Sequence, residues 1–190
     1  MKRRSLITLG AAGLVAGMSP SVFAQAKFPQ RPITLVVPTP PGGSTDFTAR
    51  LIAEPLTRAL GQSVIVDNRP GGAGNIGNQF VARAKPDGYT LLVAYSGYQV
   101  GNPHLFKDAG WDPIKDFAPV AMVTRAPQVV AIHHALPVNN LQELIAYAKK
   151  NPGKLNYASS GNGSIQHIAG ELFKQLTGTF ITHIPYRGSG

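Results

Sequence analysis

Pro38–Asp46 reads PTPPGGSTD and separates two patterns of different period. Before it, Ile33, Thr34, Leu35, Val36 and Val37 form a short, mostly apolar run of β-branched character, the mark of a buried strand. After it, Phe47, Leu51, Ile52, Leu56, Ala59 and Leu60 recur at helical spacing. A strand therefore enters a glycine loop, and the loop opens a helix beginning at Thr45. Gly42 and Gly43 allow a tight turn, Ser44 is read as the N-cap, and Asp46 in the first turn suits the positive end of the helix dipole. Free N–H groups at such a junction can seat a small anion, although a βα turn of this kind can equally bind nothing.

Working outward, Pro55 lies within the helix and is expected to kink it or loosen one turn. Gly61 fits the helix C-cap, and Val64, Ile65 and Val66 make the next strand. Strand, helix and strand in this order make a βαβ unit and call for a parallel sheet. Gly72, Gly74 and Gly77 then match a GxGxxG spacing and lead into a helix carrying Phe80, Val81 and Ala84. A dinucleotide site needs an acidic residue at the end of the next strand, but Tyr89–Ala94 runs into Tyr95, Ser96 and Gly97. These glycines read instead as a close-approach loop at the edge of the same cleft.

Residues 101–119 are rich in Pro, Gly and Asp and read as an irregular connection. Val120–Thr124 and Gln128–His133 are apolar and β-leaning, and predict two strands passing from one lobe to another. The adjacent His133 and His134 would face opposite sides of a strand and so make a poor metal pair. Asn140 with Glu143 three residues on predicts a capping box for a helix that Asn151, Pro152 and Gly153 stop. Leu155–Ala158 predicts a strand, and the loop Ser159–Ser164 follows it. Ser164 caps a helix carrying Ile165, Ile168, Ala169, Leu172, Phe173 and Leu176, Gly178 ends that helix, and Phe180–Ile184 returns as a strand.

Ser44–Gly61 and Ser164–Gly178 are thus one device used twice: strand, Gly/Ser loop, helix, terminal glycine, strand. Two helix N-termini facing each other across a cleft would hold a carboxylate from both sides, helped by the hydroxyls of Ser44, Thr45, Ser159, Ser160 and Ser164. Closure by a hinge is expected of such a chain.

The remaining features bound the class. Lys2, Arg3 and Arg4 precede the apolar run Leu6–Met18, which is too short for the roughly 20 residues a membrane span needs, and small residues follow it. Residues 1–26 therefore read as a cleaved export signal, by the Sec or the twin-arginine route, with the periplasm as destination. The chain carries 18 basic and 9 acidic side chains, and with the three leader cations set aside the balance is about +6. The basic residues are scattered rather than interleaved with aromatics, which argues against nucleic-acid binding. Without cysteine there is no disulfide framework and no thiolate metal site.

In order along the chain, FPQRPITLVVPTPPGGSTDFTARLIAEPL, LGQSVIVDNRPGGAGNIG, KPDGYTLLVAYSG, LQELIAYAKKNPGKLNYASSGNGS and GELFKQLTG resemble the Bug family, the extracytoplasmic solute receptors of tripartite tricarboxylate transporters. The resemblance implies an α/β fold, a two-lobed periplasmic-binding-protein (Venus-flytrap) architecture with parallel βαβ units in each lobe. Its lobes would be residues 27–119 and 120–190. It also implies a monomeric binding protein, not an enzyme, that needs no cofactor or metal. Its ligand would be a small carboxylate: a di- or tricarboxylate, an acidic amino acid or an aromatic acid. The large and small membrane subunits of the transporter would be its partners. Family members hold the carboxylate through backbone and hydroxyl groups of both lobes, partly through water. By position this points to Pro41, Gly42, Gly43, Ser44 and Asp46, to Gly74 and Asn75, to Ser96, and to Ser160, Gly161, Asn162 and Ser164.

Two departures bear on the expectation. Thr39 stands where the family commonly has Phe, which predicts a more polar pocket wall. The chain stops at Gly190, where the second lobe should continue and return to the first, so the fold is expected to be incomplete, with unpaired edges and uncovered apolar faces. A sensor subunit feeding a membrane kinase would use the same site. A Ser/His hydrolase would need a nucleophile elbow, which neither Gly42–Asp46 nor Gly161–Ser164 provides, although His167 could approach Ser164.

Overall fold

The computed structural model describes residues 27–189, and the export signal read at residues 1–26 lies outside the described residues. Residues from Arg31 onward make one compact unit. Within it, β1 (Ile33–Val37) is flanked by β2 (Val64–Asn68) and β3 (Thr90–Leu92) in a parallel sheet of order β2-β1-β3. The central strand is the most deeply buried, with Val36 and Val37 at 0% exposure, as expected of a parallel strand covered on both faces. Helix α1 (Ser44–Leu60) crosses from β1 to β2 and buries Ala49 against Leu35, Val37 and Val93. Each fully buried Leu or Val side chain there contributes about 1.5–3 kcal/mol. Gly61 ends α1 at φ 68°, in the left-handed conformation expected of a C-cap, and Pro55 is carried within the helix.

A 3-10 turn at Gly72–Gly74 leads into α2 (Asn75–Ala82), and α3 (Ser96–Leu105) follows β3. Helix α3 corrects the irregular connection expected from residue 101 onward. Gly97, Gly101 and Pro103 are poor helix formers, and local propensity hides the element. Packing accounts for them: a Cβ on Gly97 would lie 3.0 Å from the Ile165 amide nitrogen, and one on Gly101 would lie 3.1 Å from Ile168 Cδ1 and 3.4 Å from the Gly163 carbonyl. Glycine at i and i+4 lets α3 come close to the second half of the chain.

That half contains α4 (Leu141–Lys150), β4 (Asn156–Ser159), α5 (Ile165–Thr177) and β5 (Thr182–Pro185), with β4 and β5 paired in parallel. Asn140 caps α4 as expected, its Oδ1 accepting the Glu143 amide at 2.9 Å, while the return bond from Glu143 goes to the amide of Asn139, one residue before the cap, at 2.8 Å. Residues 120–124 and 128–133, expected as two strands, form no regular element and are unpaired. Strand propensity measures fit to a neighbouring strand, and no other described segment pairs with them. Val120, Met122 and Val129 stay 81%, 77% and 82% exposed. Among the described residues no helix is long and apolar enough to cross a membrane.

A buried polar network ties the glycine loop to the helices. Asn75 Oδ1 accepts from Asn102 Nδ2 and from Trp111 Nε1, both at 2.8 Å, and Asn102 Nδ2 also donates to the Ala73 carbonyl. Replacing Asn75 by Ala leaves the indole N–H buried without an acceptor. Asn75→Ala is expected to lower unfolding stability by about 2 kcal/mol, read as a lower urea midpoint at unchanged m-value. An unchanged midpoint would mean that the network is not structural.

Candidate functional site

Parallel α/β sheets place their loops, and with them their ligand sites, at the carboxyl ends of the strands. Here the loops after β1, β3, β4 and β5 meet at one small cleft. It is lined by Thr39, Pro40, Gly43, Ser44 and Thr45 after β1, Tyr95 and Tyr98 after β3, Ser160 and Gln166 after β4, and Gly188 and Ser189 after β5. No ionised side chain is among them.

The two helix N-termini reach this cleft from different sheets. At α1 the N-cap is Gly43, not Ser44, and no side chain caps the helix. Ser44 is one place further on, as the first helical residue. Its amide donates to Ser189 Oγ at 3.4 Å, so a hydroxyl of another loop sits on the helix end. Asp46 points the other way. Its buried carboxylate accepts the Gly42 amide at 2.9 Å and Arg50 Nε at 3.0 Å, locking the loop from behind. The hydrogen bond from Arg50 holds this carboxyl below the usual carboxylate range, against the opposing effect of burial. Gly42 at φ 85° is in a left-handed conformation that favours glycine.

At α5 the N-cap is Ser164, as expected. Its hydroxyl, 1% exposed as a residue, accepts the His167 amide at 3.2 Å. The Ile165 amide donates to Tyr95 Oη at 3.1 Å, and Tyr95 in turn donates to Gln166 Oε1 at 3.1 Å. Ser160 Oγ donates to the same Gln166 oxygen at 3.0 Å. A tyrosine from the first sheet thus sits on the helix end of the second. Thr39 Oγ1 is buried at the cleft wall without a hydrogen-bond partner.

Of the residues expected from sequence, Gly43, Ser44, Thr45 and Ser160 come together at the cleft, with Thr39 in its wall. Pro41 and Asn162 are exposed outside its lining, as is Ser96 at the start of α3. Gly161, at φ 127°, shapes the second loop, where an added Cβ would meet the Tyr186 carbonyl at 2.9 Å. Gly74 lies directly beneath Tyr98, where an added Cβ would be 2.1 Å from the ring, and Asn75 is taken up by Asn102 and Trp111. Gly42, Asp46, Gly74, Asn75 and Ser164 thus hold the loops through contacts within the protein. Tyr95, Tyr98, Gln166, Gly188 and Ser189 were not singled out by the sequence reading. Gln166 had a signal, since the second residue of a capped helix at a ligand loop faces its mouth, whereas Tyr95 and Ser189 arrive through tertiary packing.

The Ser/His pairings do not make a hydrolytic centre. Ser164 Oγ faces a backbone amide, while the His167 ring faces the Gly163 amide. Ser159 Oγ does meet His183 Nε2 at 2.7 Å, but Ser159 is 6% exposed and its hydroxyl is engaged with the Gly161 amide and carbonyl. No group of three or more metal-ligating side chains occurs among the described residues.

Comparison with known proteins bears on the family and the fold. The family model of the tripartite tricarboxylate transporter family receptor matches residues 48–190. Protein BugT of Bordetella pertussis is 40% identical over 188 residues, covering 98% of this chain and 57% of its own. Among solved structures, R. palustris Rpa4515 with adipate is 43% identical with a TM-score of 0.81, over 86% of this chain and 55% of its own. MatC from Rhodopseudomonas palustris with bound malate is 35% identical with a TM-score of 0.77, over 85% and 55%. The chain spans about half the length of the curated relatives it matches. Its parallel α/β sheets are those of periplasmic binding proteins, and the chain belongs to the tripartite tricarboxylate transporter family of receptors.

Proposed function

We propose that this protein is a periplasmic receptor that captures a small carboxylate and presents it to the membrane subunits of a tripartite transporter. One observation carries the reading: the N-termini of α1 and α5, from two different sheets, converge on a cleft lined by hydroxyls, an amide and backbone, without a fixed cation. Helix ends and oriented amides favour an anion by their dipoles and donate directly to its oxygens. A hydroxyl is bonded to a first-turn amide at each end, Ser189 Oγ to Ser44 and Tyr95 Oη to Ile165, which supports reading both helix ends as oxygen-accepting. The adipate and malate of the two R. palustris structures support the dicarboxylate class. In this reading Gly43, Ser44 and Ser160 touch the ligand, while Pro41, Gly42, Asp46, Gly74, Asn75, Ser96, Gly161, Asn162 and Ser164 shape the loops that present them. Residues 27–119 and 120–190 would act as the two lobes that close on it.

Thr39 tunes the choice among acids. Its buried, unpartnered hydroxyl lowers the stability of the empty cleft and rewards a ligand that brings a polar group to it.

Two outcomes are expected. Adipate, malate, citrate, succinate, glutamate, nicotinate and benzoate are each added to the protein and thermal unfolding is recorded. At least one should raise the midpoint, by an amount equivalent to about 2.7 kcal/mol at a hundredfold excess over Kd. A midpoint indifferent to every acid would defeat the carboxylate reading. Thr39→Val, which keeps the volume and removes the hydroxyl, should stabilise the empty protein by about 1 kcal/mol and lower malate affinity about fivefold relative to adipate. Equal losses for the two acids would show that Thr39 does not discriminate.

A further inference from the structure

The loop Ser159–Ser164 rests on a stack of three rings. Tyr157 on β4 and His183 on β5 lie with centroids 4.9 Å apart and 26° between planes, and His183 and His167 on α5 lie at 4.1 Å and 17°. Both histidines are joined to the loop. The Gly163 amide donates to His167 Nδ1 at 3.3 Å, and Ser159 Oγ meets His183 Nε2 at 2.7 Å.

The proton inventory separates the two histidines. A nitrogen that accepts an amide keeps its lone pair, so His167 in this geometry is the neutral, Nε2–H tautomer. Ser159 has one hydroxyl proton and three neighbours: it accepts the Gly161 amide at 3.1 Å, is 3.2 Å from the Gly161 carbonyl, and touches His183. All three contacts are satisfied when Ser159 donates to the Gly161 carbonyl and His183 Nε2–H donates to Ser159. That arrangement survives protonation of His183. The Gly163 bond does not survive protonation of His167, which would set an N–H against an N–H.

The charged neighbours of the stack are Glu171 and Lys174, both on α5. Glu171 on α5 is bound by Lys174 Nζ at 2.8 Å and by Tyr157 Oη at 2.8 Å, so its charge is largely engaged. Lys174 adds a cation on the same side. Tyr95, beside α3, meets the helix through the Ile165 amide and Gln166. Burial, with the neighbouring His167 second, holds His183 below the usual histidine range.

We propose that His167 is the positioning residue of the second ligand loop, holding Gly163 through Nδ1 only while its ring is neutral, so that acidification releases the loop and weakens ligand capture. The final step rests on the carboxylate reading above.

The test begins without ligand, on the full chain labelled with nitrogen-15. The His167 ring nitrogens and the Gly163 amide are followed by NMR from about pH 8 to about pH 5. The ring should start as the Nε2–H tautomer, and the Gly163 shift should move with the same midpoint as the ring. Protection of that amide, corrected for intrinsic exchange, should fall at least about fivefold across the transition. A Gly163 amide that ignores the His167 titration overturns the proposal. His167→Phe keeps a stacking ring but no acceptor, and should leave Gly163 unprotected at every pH. Full protection in that variant would reduce His167 to packing, and if the variant does not fold the unsubstituted titration decides alone. Adipate and malate affinity should then fall by up to about tenfold per pH unit below the His167 midpoint. If either acid binds with an affinity that does not follow that midpoint, the coupling is wrong. If the loop titrates as stated while neither acid binds at any pH, the carboxylate reading fails and the role of His167 in holding the loop stands.

Discussion

The amides in the first turns of α1 and α5 are the constraint on which the rest of the structure depends. The first N–H groups of a helix have no partner within it, and both of these helix ends lie at a cleft rather than in open solvent. Ser164 takes one amide of α5, Tyr95 takes another, and Ser189 takes the first amide of α1. None of these partners is charged, so the helix dipoles keep their preference for negative charge. A fixed arginine would have set one geometry for one carboxylate, whereas hydroxyls and backbone amides accept acids of different length and leave discrimination to the walls.

Holding two helix ends at one cleft requires close contact between the sheets that carry them, and two glycines supply it. Gly97 and Gly101, one turn apart on α3, bring that helix within backbone distance of Ile165 and Gly163. The same approach lets the Tyr95 hydroxyl reach the Ile165 amide. Behind α1, Asp46 turns away from the cleft and fixes Gly42, while behind the second loop the stack of Tyr157, His183 and His167 plays the corresponding part. The two halves repeat a design at the helix end and differ in how they support it: a carboxylate and an arginine on one side, a ring stack on the other.

Much of this is legible in the sequence. The strand runs at 33–37 and 64–66, the glycine C-caps at 61 and 178 and the Asn140 cap follow from local chemistry that each segment carries itself, and the βαβ order implies the parallel pairing. What misled was equally local. Ser44 looks like a cap because serine usually is one, yet the helix begins one residue earlier, at a glycine. Helix α3 was hidden because its glycines answer to a neighbouring helix rather than to their own propensity. The segments at 120–124 and 128–133 have strand composition, but a strand exists only in a ladder, and none of the described residues supplies its other side.

By itself, then, the sequence determined the order of elements, the parallel α/β class and the two Gly/Ser loops that open helices, because these depend on contacts within a few residues. It also marked the family, through the order of many short blocks. Only the tertiary structure decided which side chains face the cleft. Asp46, Asn75 and Ser164 look like ligand residues in the chain and are taken up by neighbours in space, while Tyr95, Gln166 and Ser189 reach the cleft from three different strand ends. A polar side chain near a loop has several possible partners, and which it takes depends on distances that only the packed fold sets.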